Sequence, residues 1–490
     1  MISLRRGNTQ PPRRFGAFSI TIAVLGGLLA LAAYIGFTPL EPIATIFSDD
    51  GALSDSFRFQ LATSQLIFGA LLLLAGLGGE RFSIRLGNMV EQILDRPSWQ
   101  ITWGSSALSV GIAVIVSRYL LDGLPHVTDE ISHLFQSKIL LAGSLTAPAP
   151  SCPMSFSQPH VIMTAKGLWH SIYPPGHALL IALFSVFGGN ALVGPVSTGI
   201  AVAALHRLAL RWWSPRGANL FALLLAMSPQ VLLLGGSWMS HSSFTALYAL
   251  AWAAWLAGRT RTTSLARRLH LIASGLLFAW SAIIRPQDFI LASAVAACAL
   301  LLYPARILPL LKDLGYVAAG TLPVVIFMAV WNNALYGTPL AIGYGHSQSL
   351  TPQMRPTYGF SATFGLAEAA RVTGWSLMRL NKSLLGWPAS FILLPVLALA
   401  PRSLSRRDVT CLVGSLLVVA FFFFYFYYGS EYEARFYFTA VPLIIMLTVQ
   451  GGRLLKKWIS TGHLTVLGLR LRASWPFLLL AIRHLASLPP

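Results

Sequence analysis

The chain has 490 residues, of which 55% are hydrophobic and only 10% are charged. A soluble protein of this length exposes far more charge, so the composition excludes a soluble enzyme and indicates a membrane protein. The net charge of +19 does not indicate a nucleic-acid partner, because most basic residues stand in short connectors between apolar stretches.

Apolar windows of about 20 residues recur along the chain, and each is long enough to cross a hydrocarbon layer of about 30 Å. The predicted crossings, in chain order, are 18–37, 61–79, 101–121, 191–210, 218–235, 239–257, 270–285, 287–303, 314–335, 384–400, 409–428 and 436–451. These windows predict an all-α polytopic membrane protein with about 12 to 13 transmembrane helices. The number is a range because the tail beyond residue 460 is only partly apolar.

The distribution of charge predicts the orientation of these crossings. The basic N-terminus is expected inside the cell, followed by a membrane anchor that is retained and not cleaved. The acidic connector 38–60 then lies outside. This orientation requires that the short apolar piece 177–187 is interfacial or re-entrant, and it leaves loops 122–174 and 337–383 outside. The most basic connectors then all lie inside, at 207–216, 259–268, 402–407 and 453–457.

The outer loop 122–174 contains a predicted amphipathic helix with two adjacent acids. In its sequence, HVTDEISHLFQSKILLAG (126–143), Asp129 and Glu130 follow Thr128, which is the predicted N-cap. Apolar side chains share one face of this helix and polar side chains share the other, so we expect it to lie flat on the membrane. The two acids are either caps of an interfacial helix or reactive groups, and the pattern alone leaves both readings open.

Further polar side chains fall on the same predicted outer face, and together they predict one polar cavity at the outer membrane surface. Each also has a structural reading: His241 as an interfacial histidine, for example, or Arg285 as the ion-pair partner of Asp288. The candidate residues for binding a donor phosphate or substrate are Lys166, Tyr173, His177, His241, Arg285 and Arg435.

Such a cavity suits an enzyme that moves a group from a membrane-bound phosphate carrier. A carboxylate accepts the proton of the attacking hydroxyl, and cations neutralise the charge that builds on the departing phosphate. No phosphate-binding glycine loop, zinc signature or Ser/His/Asp elbow is present, and Cys152, Cys298 and Cys411 fit neither a disulfide framework nor a metal motif. No cofactor is predicted, and a divalent metal stays an open possibility.

Several stretches, in a consistent order over roughly residues 100–450, give the chain a family resemblance. It resembles the GT-C glycosyltransferases, in particular bacterial relatives of the protein O-mannosyltransferases and of the lipid A aminoarabinose transferases. The stretches are HVTDEISHLFQSKILLAGSLTAPAP (126–150), KGLWHSIYPPGHALLIALFSVFG (166–188), SPQVLLLGGSWMSHSSFTALYALA (228–251), AIIRPQDFILA (282–292), WNNALYGTPLAIGY (331–344) and EARFYFTAVPLI (433–444).

The resemblance implies a GT-C-like helical bundle with interfacial helices in the first large outer loop. Asp129 matches the family's catalytic base or acceptor-orienting carboxylate, and Glu130 is its neighbour. Because successive helical residues point about 100° apart, we expect Asp129 to face the cavity on the side that it shares with His133. Glu130 is expected to cap backbone amides or to pair with Lys166 or an arginine. Tyr173, with the two prolines that follow it, matches a turn that lies beside the lipid phosphate. Relatives with lysine at this position use that cation on the phosphate, so here Lys166, Arg285 or Arg435 is expected to substitute.

The resemblance also implies a domain organisation. Residues 1–100 are expected to form a two-helix membrane segment additional to the family core, and 101–460 the transmembrane catalytic core. Residues 461–490 form a tail with one possible further membrane helix.

The predicted function is transfer of a sugar from a polyprenyl-phosphate donor to an extracytoplasmic acceptor, which is a protein, a lipid or an envelope glycan. The expected location is the bacterial cytoplasmic membrane, with the active site facing outward. Two alternatives remain: a lipid or sugar transporter of the envelope, and a non-catalytic membrane assembly protein.

Overall fold

A computed structural model describes residues 70, 79–156, 160–164, 166–302, 307–346, 359–360, 364–386, 390–399, 403–425, 431–461, 463–466 and 469–472. The predicted crossing 18–37 and almost all of 61–79 lie outside the described residues. The chain divides into two compact units, of which the first comprises Met1–Arg96, Trp387–Ala389 and Ile482–Pro490. The second unit comprises Pro97–Gly386 and Ser390–Ala481, and it contains every candidate site residue.

In the first unit, the described secondary structure is the amphipathic helix α1 (Gly79–Leu94), which the sequence did not predict. The second unit is helical apart from short strands. Its helices are α2 (Ser98–Ile115), α3 (Thr128–Leu141), α4 (Gly176–Val186), α5 (Val193–Trp212), α6 (Pro215–Met227), α7 (Pro229–Gly236), α8 (His241–Thr260), α9 (Ser264–Ala282), α10 (Pro286–Leu302), α11 (Ile307–Tyr336), α12 (Leu366–Leu385), α13 (Leu394–Leu399), α14 (Arg406–Phe423) and α15 (Val441–Thr461). Short turns of 3-10 helix occur at Pro153–Phe156, Asn190–Leu192, Gly343–His346, Ser390–Leu393 and Arg435–Ala440, and a π-helical turn, Val116–Leu120, extends α2.

Among the described residues, four helical stretches are long and apolar enough to cross a membrane: Ser98–Leu120, Asn190–Trp212, Leu311–Tyr336 and Arg435–Lys457. A fifth candidate is the pair α6 and α7, bent by 50°. The break falls at Ser228 and Pro229, because proline cannot continue the hydrogen-bond ladder of a preceding helix. The fold is therefore all-helical and polytopic, as predicted.

The remaining predicted crossings agree less evenly with the helices. The windows 239–257, 270–285, 287–303 and 409–428 coincide largely with α8, α9, α10 and α14, although these helices do not reach the length and hydropathy of the spans above. The window 384–400 is different, because its described part ends α12 and then forms only the turn Ser390–Leu393 and the short α13. The described part of the tail forms an antiparallel pair, β4 (His463–Val466) and β5 (Leu469–Arg472), where a further helix was the expected alternative.

The helices of the second unit pack closely through small residues. Gly275 of α9 and Gly320 of α11 face each other's helices so tightly that an added Cβ would meet the backbone carbonyls of Val317 and Ile272, respectively. Parallel helices α5 and α8 are joined near their first turns by hydrogen bonds between hydroxyl groups, such as Thr198 to Ser242 at 3.1 Å. Close approach through small and hydroxyl residues is typical of helices that associate in membranes.

The outer loop that follows α2 has its own compact structure. After α3, three short strands, β1 (Ala147–Pro148), β2 (Val161–Met163) and β3 (Leu168–Ser171), form an antiparallel sheet in the order β1-β3-β2. The register pairs Ile162 with His170. This sheet leads directly into α4, so it holds the chain between α3 and α4 in a fixed position.

Candidate active site at the first outer loop

The site is built around the first turn of α3. The helix begins at Thr128, with Val127 as its N-cap in an extended conformation, so the prediction that Thr128 is the cap is wrong by one residue. The capping group is instead Glu130, which accepts hydrogen bonds from the backbone amides of Val127 at 3.2 Å and His126 at 2.7 Å. Asp129 and Glu130 therefore lie in the first turn, as the sequence predicted, and point in different directions.

Glu130 is fully buried, and four donors converge on its carboxylate. Besides the two amides before the helix, it accepts hydrogen bonds from the backbone amide of Trp238 at 2.8 Å and from the Tyr432 hydroxyl at 2.8 Å. Burial raises the pKa of Glu130, and these hydrogen bonds offset part of that rise. A saturated, buried carboxylate has no free oxygen for a substrate, so the geometry favours a positioning role over the reactive role that the sequence also allowed.

Asp129 has the opposite surroundings, because its side chain keeps 20% of its surface exposed. Its Oδ1 accepts a hydrogen bond from the Tyr173 hydroxyl at 2.7 Å. Its Oδ2 lies 3.7 Å from Nε2 of His160 and 3.7 Å from Nη2 of Arg435. Among the described residues, Oδ2 accepts no hydrogen bond at normal distance, so it remains available to a donor from an incoming molecule.

The charge state of Asp129 follows from these neighbours. Burial raises its pKa, but Arg435, then His160 and the Tyr173 hydrogen bond outweigh that effect and hold the pKa below its usual 3.8. Burial lowers the pKa of His160 despite the nearby carboxylate, so its ring is neutral at pH 7. Asp129 is therefore an ionised carboxylate at neutral pH, and Arg435 is the cation that faces it.

A cluster of aromatic rings forms the wall beside Asp129. The ring of His133, one turn further along α3, stacks on Tyr173 at 4.6 Å and meets His177 edge-on at 4.9 Å. Tyr173 also meets the half-exposed Tyr344 edge-on at 5.9 Å. Burial, then the His177 ring and the charge of Arg285, lower the pKa of His133 well below its usual value, against the opposing charge of Asp129. His133 is therefore neutral at pH 7. Its ring lies close enough to Asp129 and to Arg285 for both charges to act on its pKa.

The polar face of α3, which includes His133, is turned into the protein. Gln136 donates to the carbonyl of Leu145 and accepts from the amide of Ser171, and Ser132 donates to the carbonyl of His160. Ile131, on the apolar face, is 38% exposed. Ile139, on the same apolar face, is only 6% exposed. The contact of this face with the membrane therefore stays a prediction.

Arg285 lies in the turn between α9 and α10. Its Nε donates to Asp288 at 2.5 Å and its Nη1 to the Ser240 hydroxyl at 3.3 Å, while Asp288 accepts in turn from the Thr439 hydroxyl. The structural reading of Arg285 as the partner of Asp288 is thus confirmed. The pair keeps the guanidinium in place, and 16% of its side chain remains exposed.

His177 and His241 are both buried beside this pair. His177 contacts the carbonyl of Trp238 through Nε2 at 2.9 Å. Neither ring nitrogen of His241 has a hydrogen-bond partner within the described part of the chain, and its ring meets Phe438 edge-on at 5.7 Å. A buried imidazole without hydrogen-bond partners is rare in folded proteins, because its polar atoms have lost their bonds to water.

The segment before α15 brings Arg435 to the site through an unusual backbone. Tyr432 and Glu433 both have positive φ, of 58° and 57°, which non-glycine residues rarely adopt. Long-range contacts hold them there: Gln230 donates to the Tyr432 carbonyl at 3.1 Å, and Lys382 pairs with Glu433 at 3.3 Å. Strain of this kind persists only where surrounding structure imposes it, and it occurs most often at functional sites.

The structure brings together most, but not all, of the predicted site residues. Asp129, Tyr173, His177, His241, Arg285 and Arg435 surround one region, linked by the contacts above. Lys166 does not join them, because it is exposed in the turn between β2 and β3. Sequence reasoning missed three contributors: His160, Tyr432 and Thr439. Each acts through a contact with an acid that is remote from it in the sequence, which no local pattern shows.

Among the described residues, no group of three or more His, Cys, Asp or Glu side chains could hold a metal ion. The site thus combines one exposed carboxylate, two arginines and a wall of neutral rings. It lies where several membrane helices begin or end, close to the starts of α8 and α10. Fold and site together define a helical, multi-pass membrane protein with a charged, partly open site at one end of its helices.

Comparison with known proteins adds one solved structure. No family profile and no curated protein matches the chain. The crystal structure of ArnT from Cupriavidus metallidurans in the apo state is similar to it, with 17% identity and a TM-score of 0.47, covering 79% of this chain and 66% of that chain. A likeness at this level assigns no activity to the chain.

Proposed function

We propose that the protein is a membrane glycosyltransferase of GT-C type. It moves a sugar from a polyprenyl-phosphate donor to an acceptor outside the cytoplasm, in a bacterial cytoplasmic membrane. The observation that carries this proposal is Asp129: a carboxylate kept ionised at the start of α3, partly exposed, with one oxygen uncommitted.

In the reaction, the acceptor hydroxyl or amine attacks the anomeric carbon of the sugar. A bond forms between the acceptor atom and that carbon, and the bond from the carbon to the phosphate oxygen breaks. The electron pair leaves with the polyprenyl phosphate. Asp129 accepts a hydrogen bond from the acceptor through Oδ2, orients it and takes up its proton as the new bond forms.

The departing phosphate gains negative charge, which a cation placed nearby stabilises most effectively where water is excluded. Arg285 and Arg435 both stand in the site and are held by Asp288 and Asp129, respectively. Arg285 is the better candidate for the phosphate, because its partner Asp288 is a separate carboxylate from the proposed base, whereas Arg435 faces Asp129 itself. His241, with its unpartnered ring, is a second group that can bond to donor or phosphate.

Glu130 supports the reaction as a positioning residue. Its hydrogen bonds to Trp238 and Tyr432 tie the start of α3 to the turn before α8 and to the segment that carries Arg435. Asp129 and Arg435 are therefore held at a fixed separation by a carboxylate that does not touch the substrate.

The test is a reconstituted assay with polyprenyl-phosphate sugars, in which transfer and free polyprenyl phosphate are both measured. Asp129→Asn keeps the shape of the side chain but removes the proton acceptor, so turnover should fall about 10²-fold or more, a typical general-base contribution. The matched control is Asp122→Asn, an exposed acid of the same loop whose positive φ asparagine also tolerates. Equal turnover in both variants would contradict the role of Asp129, and no turnover with any donor would contradict the proposed function.

A further inference from the structure

At the far end of the bundle from the candidate site, helices α5 and α8 enclose a second pocket. α8 begins at His241 in the site and runs for 20 residues to Thr260, which corresponds to about 30 Å, or one hydrocarbon thickness. The pocket lies between the last turns of the two helices and has a volume of about 450 Å³. It is therefore separate from the site described above.

The pocket has an apolar wall and a basic rim. Leu210 and Leu256, with further leucine and alanine side chains, line it, and Arg207, Arg211 and Arg261 surround it together with Thr260. In the part of the chain that the structure describes, no acidic side chain lines it. All three arginines are exposed, so their charges are available to a ligand at the membrane surface.

Two arginines nearby on the chain share an acidic partner, whereas these three have none within the described residues. Arg259 and Arg267 share the buried carboxylate of Asp313, at 3.3 Å and 2.5 Å. Arg207, Arg211 and Arg261 form no ion pair there. Positive charge at a helix C-terminus suits the helix dipole, but that effect requires neither a pocket nor three guanidinium groups around it.

We infer that this pocket binds the phosphate headgroup of an anionic phospholipid from the membrane leaflet opposite the candidate site. Guanidinium groups bind phosphate oxygens through paired hydrogen bonds. The leucine and alanine wall suits the first part of an acyl chain, which free phosphate lacks. The pocket thus has both the charge and the apolar surface that a membrane lipid presents.

The experiment measures lipid binding to the purified, delipidated full chain by native mass spectrometry. The probes are phosphatidylglycerol, phosphatidylcholine and inorganic phosphate. Arg207→Gln/Arg211→Gln should bind phosphatidylglycerol about 30-fold more weakly than the unmodified protein, since each of the two arginines near an anionic surface contributes about 1 kcal/mol. Binding of phosphatidylcholine should not change.

The matched control is Arg268→Gln/Arg407→Gln, which removes the same charge from two exposed arginines outside the pocket and should keep phosphatidylglycerol binding. Equal loss in the control would overturn the inference, because the effect would then be one of net charge. Displacement of the lipid by equimolar inorganic phosphate would overturn it as well, since the pocket would then recognise phosphate alone. If the double variant does not fold, Arg261→Gln, at the end of α8, serves in its place and should also weaken binding of phosphatidylglycerol.

Discussion

At the scale of single residues, two adjacent acids have opposite environments. Asp129 keeps an exposed oxygen and a lowered pKa, whereas Glu130 is enclosed by four hydrogen-bond donors and its pKa is raised by burial. The difference arises because successive residues of a helix point about 100° apart, so one acid faces the open region and the other faces Trp238 and Tyr432. Each acid therefore has its own expected response to mutation.

Replacing Glu130 with glutamine should lower the stability of the protein more than it lowers turnover per folded molecule. The amide NH2 group would face at least one of the four donors, and an unsatisfied buried donor costs about 1–3 kcal/mol. The measurement is thermal unfolding of the purified protein, with turnover determined at equal folded protein. Glu433→Gln is the control, because it removes a partly exposed ion pair worth about 1 kcal/mol or less. Unchanged unfolding of Glu130→Gln would show that these hydrogen bonds contribute little.

The charge of Arg435 should be visible in the pH dependence of activity. A lowered pKa keeps Asp129 ionised down to pH values below 3.8, so activity that needs this carboxylate is lost only as the pH falls through the lowered pKa. Arg435→Gln removes the largest charge that opposes the effect of burial, so the pKa of Asp129 should rise. The acid limb of the pH profile, where activity falls as the pH is lowered, should then move to higher pH. Arg435→Lys keeps the charge and should leave the limb near its original position. Coincident acid limbs in Arg435→Gln and the unmodified protein would contradict this account.

At the scale of elements, close helix contacts fix the framework behind the site. The turn that carries Arg285 follows directly from α9, and α9 packs against α11 where Gly275 and Gly320 admit the opposing backbone. The first residue of α4, Gly176, lies against the carbonyl of Ile283 in the same turn and donates to it at 3.2 Å. The position of Arg285 therefore depends on contacts that only glycine permits.

Gly275→Ala should separate α9 from α11 and destabilise the protein by about 1–3 kcal/mol, the usual cost of an overpacked core. Thermal unfolding is again the readout, and a loss of transfer activity should accompany it because Arg285 shifts. Gly315→Ala, on α11 with open space around its Cβ position, is the matched control and should be neutral or slightly stabilising. If both alanine variants unfold alike, the packing of α9 on α11 does not depend on Gly275.

At the scale of the whole molecule, charge and chemistry divide between the two ends of the helices. The site gathers the starts of α8, α10 and the segment before α15, while basic connectors follow α5 and α8 and precede α9. From this polarity and the positive-inside rule, we predict that the site faces outside. The pocket lined by Arg207, Arg211 and Arg261 is then expected inside.

The orientation can be tested with the natural cysteine of the outer loop. Cys152 is exposed, whereas Cys411 is buried. A membrane-impermeant maleimide should label Cys152 in right-side-out vesicles, and Cys152→Ser should abolish that labelling. In the Cys152→Ser background, Thr262→Cys, in the exposed connector between α8 and α9, should react only after permeabilisation. The reverse pattern would invert the topology and with it the proposed location of the active site.

The sequence by itself determined the class of the protein, most of its helices and the placement of Asp129 and Glu130 in the first turn of α3. These features depend on hydropathy, periodicity and charge within windows of about 20 residues, which local sequence contains in full. Helix geometry also predicted different roles for the two acids, with Asp129 facing the cavity and Glu130 capping backbone amides. Only the tertiary structure decided which distant side chains surround each of them. Tyr173 is 44 positions from Asp129, and Tyr432 is 302 positions from Glu130. Such contacts arise from helix packing and from the left-handed backbone at Tyr432, which no local pattern encodes.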